Sequence, residues 1–216
     1  MIAMILAAGR GERLRPITES APKALVEVRG ESLLERHLRA VRGAGISTVV
    51  INLGWLGDQI VERIGSGADY GLDVIYSPEG DNILETGGGI HRALPMLGSE
   101  PFLVINADIY TDMPLPTHLA EPGDDGYLVL VPKPEHQAAG DFALIDQRIR
   151  NEGGPLLTFS GVAIYHPRFF AGCKPGRFPL APMLRAAADS KRLGGQLYDG
   201  LWRDIGTPER LSELND

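Results

Sequence analysis

Cysteine is all but missing from this chain: Cys173 stands alone among 216 residues. One thiol cannot close an internal disulfide, so the fold does not depend on an oxidising compartment. A lone cysteine reads as a small packed residue rather than a nucleophile. Long apolar runs are missing too, and nothing approaches the roughly 18 residues of a membrane span. The opening stretch MIAMILAAGRGER has no leading positive segment and turns polar too soon for a signal peptide. We therefore expect a cytoplasmic protein with no membrane partner. Positive charge is in deficit, with Lys+Arg 21 against Asp+Glu 28 and a formal net charge of −7, which argues against a nucleic-acid partner. The five histidines, at 37, 91, 118, 136 and 166, show no zinc-ligand spacing, and no G-x-S-x-G supports serine-nucleophile chemistry. Aromatic residues make up only 6%, and the two tryptophans, Trp55 and Trp202, read as packing residues rather than stacking platforms.

What is present is an ordinary globular composition, 44% hydrophobic and 23% charged, in a chain long enough to bury a sizeable core. The first half alternates. IAMILA (2–7) is an apolar strand closed by a glycine loop, and Leu33, Leu34, Leu38 and Val41 fall at helical spacing before Gly45. TVVINL (48–53) is a strand, LGDQIVERIG (56–65) an amphipathic helix and DVIYS (73–77) a strand. TGGGIHRALPML (86–97) reads as a helix opened by glycines, and PFLVINAD (101–108) as a strand with a polar tip. Continuous apolar strands between helices predict an α/β fold, with a mostly parallel central sheet and helices on both faces. Ligands of such sheets lie beyond the carboxyl ends of the strands, which here carry the 9–23 loop and Asp108. From about residue 126 the rhythm changes to short strands (127–132, 142–146, 156–165), a helix over 180–190, a hairpin over 195–206 and a terminal helix over 207–214. With no linker or repeat, this half reads as a small β-rich insertion packed on the first sheet.

The loop after the first strand carries the chemistry. LAAGRGERLRPITESAPKALV (6–26) holds Gly9 and Gly11 together with Arg10, Arg13, Arg15 and Lys23, in a chain that is acidic overall. Glycines let a backbone approach phosphate closely and aim N–H groups at its oxygens. Neither common motif is present: the P-loop is absent, and Leu14 stands where the dinucleotide fingerprint needs a third glycine. Arg10 and Arg15 fit a solvated loop as well as a ligand. Arg13 and Lys23 together are better matched to several negative oxygens, the arginine as a bidentate fork and the lysine as a point charge.

The same stretch resembles the signature L-x-x-G-x-G-T-R-L-x-P-x-T…P-K-P-L of sugar-phosphate nucleotidyltransferases. Glu12 replaces the usual threonine and Ala24 a proline, and we expect Glu12 to turn its carboxylate away from phosphate. Two further pieces match. V-I-N-A-D ends in Asp108 where the family has a G-D motif, and W-R-D-I-G-T-P (202–208) carries Asp204. Each aspartate alone reads as a turn or cap; the resemblance makes the pair the ligands of magnesium. The segment L-E-T-G-G-G (84–89), with Y-S-P-E-G, G-D-F (140–142), L-T-F-S-G (157–161) and L-A-P-M-L-R (180–185), is similar to the subgroup that uridylylates N-acetylmuramate 1-phosphate in peptidoglycan recycling.

The resemblance implies a Rossmann-like fold of the nucleotide-diphospho-sugar transferase type, in one domain with a nucleotide-binding half (1–112) and a sugar-phosphate-binding half (113–216). The substrates implied are UTP and a sugar 1-phosphate. Arg13 and Lys23 are the catalytic pair, Arg13 on the outer phosphates and Lys23 on the α-phosphate. Ala8, Gly9, Gly11, Glu79, Thr86, Gly87 and Gly88 meet the nucleotide, with the glycines of 87–89 leaving room for a planar base. Asn106, Asp141, Ser160 and Gly161 meet the sugar phosphate. Many relatives grip that phosphate with the lysine of an E-K-P motif, but no lysine lies between Lys133 and Lys174, so Arg203 beside Asp204 is the candidate replacement. Lacking a hexapeptide-repeat tail, the protein is expected as a monomer or dimer. The same chemistry on mannose 1-phosphate with GTP, or on glucose 1-phosphate with dTTP or UTP, stays open, as does a non-catalytic sensor.

Overall fold

The computed structural model describes residues 1–80 and 83–215. Asp81 and Asn82, inside the 77–90 stretch, lie outside the described residues. The fold is organised by one nine-stranded sheet of order β5-β4-β1-β6-β11-β8-β12-β10-β9. Its parallel half is β5 (Asp73–Pro78), β4 (Thr48–Leu53), β1 (Ala3–Leu6) and β6 (Phe102–Asn106). The chain leaves β1 on one side for β4 and β5, then returns on the other side for β6. The switch point therefore falls between β1 and β6, where crevices open at strand carboxyl ends. Leu6 sits in register with Asn52 on one side and Asn106 on the other, so polar side chains flank the mouth of this crevice.

Alternation along β1 explains why both faces are covered. Ala3 and Ile5 pack with Leu34, Leu38 and Val41 of α2 (Leu33–Gly43) and with Ile60 and Ile64 of α3 (Gly57–Ile64). Met4 faces the opposite way, toward Ile90, Ala93 and Leu97 of α4 (Glu85–Leu97), and the same cluster takes Leu184 and Ala187 of α5 (Ala181–Asp189). Strands with apolar side chains on both faces are what a doubly covered parallel sheet requires. At the start of α2, Ser32 and Glu35 form a reciprocal capping box.

The second half does not pack on the face of the first sheet. It extends it edge to edge: β11 (Thr158–Tyr165) adds antiparallel to β6, β8 (Gly126–Val131) antiparallel to β11, and β12 (Leu193–Leu197) parallel to β8. β10 (Arg148–Arg150) and β9 (Ala143–Ile145) complete that end. The expected 195–206 hairpin is also absent. Its first arm is β12; its second, β13 (Trp202–Asp204), leaves the sheet and pairs with β7 (Ile109–Thr111). Two contacts decide this. Gly194 and Gly195 admit β12 between its neighbours, since a Cβ on Gly195 would lie 2.4 Å from Ile149 and 2.8 Å from the Leu128 carbonyl oxygen. Trp202, 7% exposed, anchors β13 elsewhere by donating its indole N–H to the Ser160 carbonyl at 2.9 Å. The small hairpin of β2 (Glu27–Val28) and β3 (Glu31–Ser32), the single-turn α1 (Ile17–Ser20) and the terminal α6 (Pro208–Asn215) lie outside the large sheet, as do four short 3-10 turns.

Candidate active site

The 9–23 loop is shaped by its own side chains. Gly11 adopts φ +62°, and a Cβ there would sit 2.8 Å from the Thr18 methyl and 3.2 Å from the Lys23 Cβ. Only glycine accommodates both the left-handed backbone and that contact. The Gly11 carbonyl accepts from the Leu14 N–H and the Thr18 hydroxyl, each at 2.8 Å. Leu14, fully buried, plugs a satellite core formed with Val26, Leu33, Tyr110 and Ile205. The residue that breaks the dinucleotide fingerprint is therefore the anchor of a differently folded loop. Trp55 donates its indole N–H to the Thr18 carbonyl at 2.9 Å, and the Arg10 guanidinium lies 5.7 Å from its ring centroid.

Three joined lobes open beyond β1 and β6. A central lobe of about 210 Å³ is lined by Ala8, Gly9, Glu79, Thr86, Asn106 and Asp108, among others. It shares Gly9, Lys23, Ile83 and Asp108 with a basin of about 780 Å³ that also meets Arg10, Arg13 and Arg177. On its other side it shares Leu6, Glu85, Thr86 and Asn106 with a more apolar lobe of about 400 Å³. In the basin, Arg10, Arg13, Lys23 and Arg177 outnumber the carboxylates of Glu12 and Asp108 among the described lining residues, a locally cationic surface within an acidic protein. Glu12, exposed, borders the basin beside Arg13.

Lys23 donates to Asp108 Oδ2 at 2.6 Å. Asp204 lies one strand away: β13 pairs Asp204 with Ile109, and the Ile205 N–H donates to the Asp108 carbonyl at 2.8 Å. Arg210 donates to Asp204 Oδ2, and His136 Nε2 lies 3.2 Å from Asp204 Oδ1. Gly206 lets these groups converge with the loop, because a Cβ there would come within 2.9 Å of Arg210 Nη1, 3.1 Å of Asp204 Oδ2 and 3.5 Å of Arg13 Nη2. Arg13, Lys23, Asp108 and Asp204 are thus brought to one place from positions spread over most of the chain.

Several other expected residues land differently. Glu79 is buried, 6% exposed, and both its oxygens are used: Oε1 accepts from Asn52 at 2.7 Å and Oε2 from the Leu84 N–H at 2.7 Å. Asn52 in turn accepts from the Ala7 N–H at 2.7 Å, so Glu79 is a strut between β1, β4 and the start of α4. Gly87 and Gly88 do not leave room for a base. Their missing side chains make way for the Phe178 ring, 2.5 Å from a Cβ on Gly87, and for the Gly176 carbonyl oxygen, 2.3 Å from one on Gly88. A Cβ on Gly89 would lie 2.5 Å from Glu79 Oε1. Thr86, exposed, is the member of this segment that borders both the central and the apolar lobe.

Ser160 also faces inward. Its hydroxyl accepts from the Val162 N–H at 3.1 Å, within a bulge of β11 where Gly161 takes φ +84°. Gly161 presses against Asn106 and, with Asp141, lines the apolar lobe. Asp141 Oδ2 accepts from the Phe159 N–H at 2.9 Å. Arg203 is not among the residues lining the three lobes; it donates to the Trp202 carbonyl at 2.9 Å and borders a separate groove that Asp204, Arg210 and His136 also line.

With this geometry in view, comparison with known proteins is decisive. The family model of the MobA-like NTP transferase domain matches residues 3–197. This chain belongs to that family. Among its relatives, an N-acetylmuramate alpha-1-phosphate uridylyltransferase of Neisseria meningitidis serogroup B is 47% identical, covering 99% of this chain and 96% of the relative. A protein of the same name from Caulobacter vibrioides is 34% identical, over 96% and 93%. A putative glucose-1-phosphate thymidylyltransferase of Bacillus anthracis, solved in complex with a sucrose, superposes with a TM-score of 0.85 at 19% identity, covering 100% of this chain and 94% of that one, which bears on fold alone. For this NTP transferase, the family and its relatives show a nucleotidyltransferase.

Sequence reasoning missed Arg210, His136 and Arg177 at this site. The first lies two residues beyond the W-R-D-I-G-T-P element, in the helix that starts at its Pro208; the other two sit in loops with no periodic signal. Beneath Asp108, His37 is buried with its Nε2 unpartnered among the described residues. Burial holds its pKa down at about 4, partly offset by the nearby Asp108 charge. Glu35 on the same helix behaves otherwise. Burial pushes it up, but hydrogen bonds from Ser32, Arg63 and Tyr70 outweigh that and bring it to about 2. No described helix is long and apolar enough to cross a membrane.

Proposed function

We propose that this NTP transferase couples UTP to N-acetyl-α-muramate 1-phosphate, giving UDP-N-acetylmuramate and pyrophosphate. The observation that carries the chemistry is the convergence of Lys23, Asp108 and Arg13 on the cationic basin, with Asp204 close behind them on β13. Similarity to the Neisseria meningitidis protein along nearly the whole of both chains supports the choice of sugar and base. In this reading the nucleoside occupies the central lobe beside Ala8, Gly9 and Thr86, and the triphosphate lies in the basin. The sugar enters the apolar lobe beside Asn106, Asp141 and Gly161.

A phosphate oxygen of the sugar 1-phosphate attacks the α-phosphorus in line. A new O–P bond forms as the bond to the β-phosphate breaks, and its electron pair leaves with pyrophosphate. No covalent enzyme intermediate is required. The protein brings together two anions that repel each other and stabilises the charge that develops between them. Lys23 meets the α-phosphate, and Arg13 holds the departing phosphates as a bidentate fork. Glu79 and Asn52 hold the Ala7 and Leu84 backbone in place from behind.

Asp108 and Asp204 are the carboxylates that would hold magnesium, an ion that takes one or two carboxylates plus substrate oxygens. Asp108 lines the basin and is paired with Lys23, whereas Asp204 sits on the neighbouring strand β13 and is paired with Arg210 and His136, so the ion would compete with these cations. Bound there, magnesium neutralises triphosphate charge. On this reading the protein acts in the cytoplasm, in peptidoglycan recycling, on small-molecule substrates and without a nucleic-acid or membrane partner. The test is 31P NMR of UTP, magnesium and N-acetylmuramate 1-phosphate with the protein. Expected are pyrophosphate and a nucleotide-sugar diphosphate in equal amounts. UTP bound without turnover would make the protein a sensor instead.

A further inference from the structure

Arg185 is absent from the reaction just described, yet it stands at the apolar lobe. The walls of that lobe are Phe142, Phe159, Leu180 and Leu184, which suit the carbon faces of a sugar. Its rim carries the carboxylates of Glu85 and Asp141, and Arg185 is the one cationic side chain among its described lining residues. Both carboxylates are already engaged, Glu85 with Arg177 at 2.8 Å and Asp141 with the Phe159 N–H at 2.9 Å.

The Arg185 guanidinium is held in orientation without being neutralised. It lies 5.1 Å from the Phe142 ring centroid and donates through Nη1 to the Asp141 carbonyl at 3.1 Å and to Asn151 Oδ1 at 3.4 Å. Asn151 is fixed in turn, donating to the Arg185 carbonyl at 2.9 Å and to Asp189 Oδ1 at 2.6 Å. The acceptors of Nη1 are a carbonyl and an amide, both neutral. Arg185 joins no carboxylate in an ion pair among the described residues. A planar, oriented cation with its charge unmatched, beside an apolar sugar-sized lobe, is suited to a carboxylate on the substrate.

We infer that Arg185 is a specificity-determining residue that binds the lactyl carboxylate of N-acetylmuramate 1-phosphate. The inference rests on the proposed function. It explains how the site distinguishes muramate from N-acetylglucosamine, which shares the ring, the acetamido group and the 1-phosphate but has a hydroxyl in place of the lactyl ether. An alternative role, gripping the 1-phosphate that both sugars share, makes a different prediction.

The experiment compares kcat/KM for N-acetylmuramate 1-phosphate and N-acetylglucosamine 1-phosphate, at saturating UTP, in wild type, Arg185→Ala and Arg185→Lys. Removing a charge-assisted contact lowers the muramate value by about 10- to 100-fold in Arg185→Ala. The glucosamine value stays within about threefold, and Arg185→Lys falls between, because lysine keeps the charge but loses the fork. Equal losses on both sugars, or no loss on either, would overturn the inference while leaving the proposed function intact. A wild type that ignores N-acetylmuramate 1-phosphate but uses another sugar 1-phosphate would overturn both together.

Discussion

Replacing Lys23 with alanine separates a structural ion pair from a catalytic one. The Lys23–Asp108 contact is short, 2.6 Å, but its partners are 12% and 37% exposed, so Asp108 reaches solvent. A half-exposed pair of this kind contributes about 0–1 kcal/mol to stability. Loss of Lys23 also leaves Asp108 free to hydrate, so the fold loses little. The transition state is different. About one unit of charge develops at the α-phosphate, and a cation some 4 Å away in an effective dielectric near 20 stabilises it by about 4 kcal/mol. That corresponds to a loss of roughly 10²–10³ in kcat, the size seen when one preorganised electrostatic donor is removed. Lys23→Ala should therefore lose two to three orders of magnitude in steady-state pyrophosphate release, and its urea midpoint should shift by no more than about 1 kcal/mol converts to. Turnover within about threefold of wild type would refute the catalytic role. Loss of turnover together with unfolding would show that the pair is structural.

Two other outcomes follow from the same structure. Gly11→Ala should destabilise the protein by about 1–3 kcal/mol, because the alanine Cβ meets the Thr18 methyl at 2.8 Å in a left-handed backbone; it should lower activity too, since the Lys23 Cβ is 3.2 Å away. An unchanged urea midpoint would contradict this reading of the loop. His37 makes stability acid-sensitive. Its folded pKa of about 4 lies below the ordinary histidine value of 6.5, so its contribution is complete above pH 6.5 and is lost as pH falls toward 4, by about 2 kcal/mol at pH 5. Urea unfolding should therefore show a steeper fall between pH 7 and 5 in wild type than in His37→Gln, and parallel curves would show that His37 is not buried neutral.

The parts of this protein that were legible in its sequence are those where one local pattern has one physical solution. Apolar runs such as TVVINL could only be strands covered on both faces, and that placed the 9–23 loop and Asp108 at strand carboxyl ends. W-R-D-I-G-T-P placed Asp204, but not Arg210 or His136, which reach it by folding of α6 and of the loop after β8. Glu79, between Pro78 and Gly80, resembles a solvated turn residue; its burial depends on Asn52 and the Leu84 N–H, contacts set by tertiary packing. The glycines at 87–89 carried a true signal of close approach, but sequence could not say whether ligand or protein does the approaching. Here it is Phe178, Gly176 and Glu79. The 195–206 segment alternates as a hairpin would, and only the glycine gap beside Ile149 and the Trp202 anchor send its two arms to different sheets.

The most direct test crosses UTP, dTTP, GTP, CTP and ATP with the 1-phosphates of N-acetylmuramate, N-acetylglucosamine, glucose and mannose, with magnesium, and reads pyrophosphate release. A single dominant kcat/KM is expected, for UTP with N-acetylmuramate 1-phosphate. A dominant value for mannose 1-phosphate with GTP, or for glucose 1-phosphate with dTTP or UTP, would contradict the substrate assignment. Silence across the grid with UTP still bound would contradict catalysis itself.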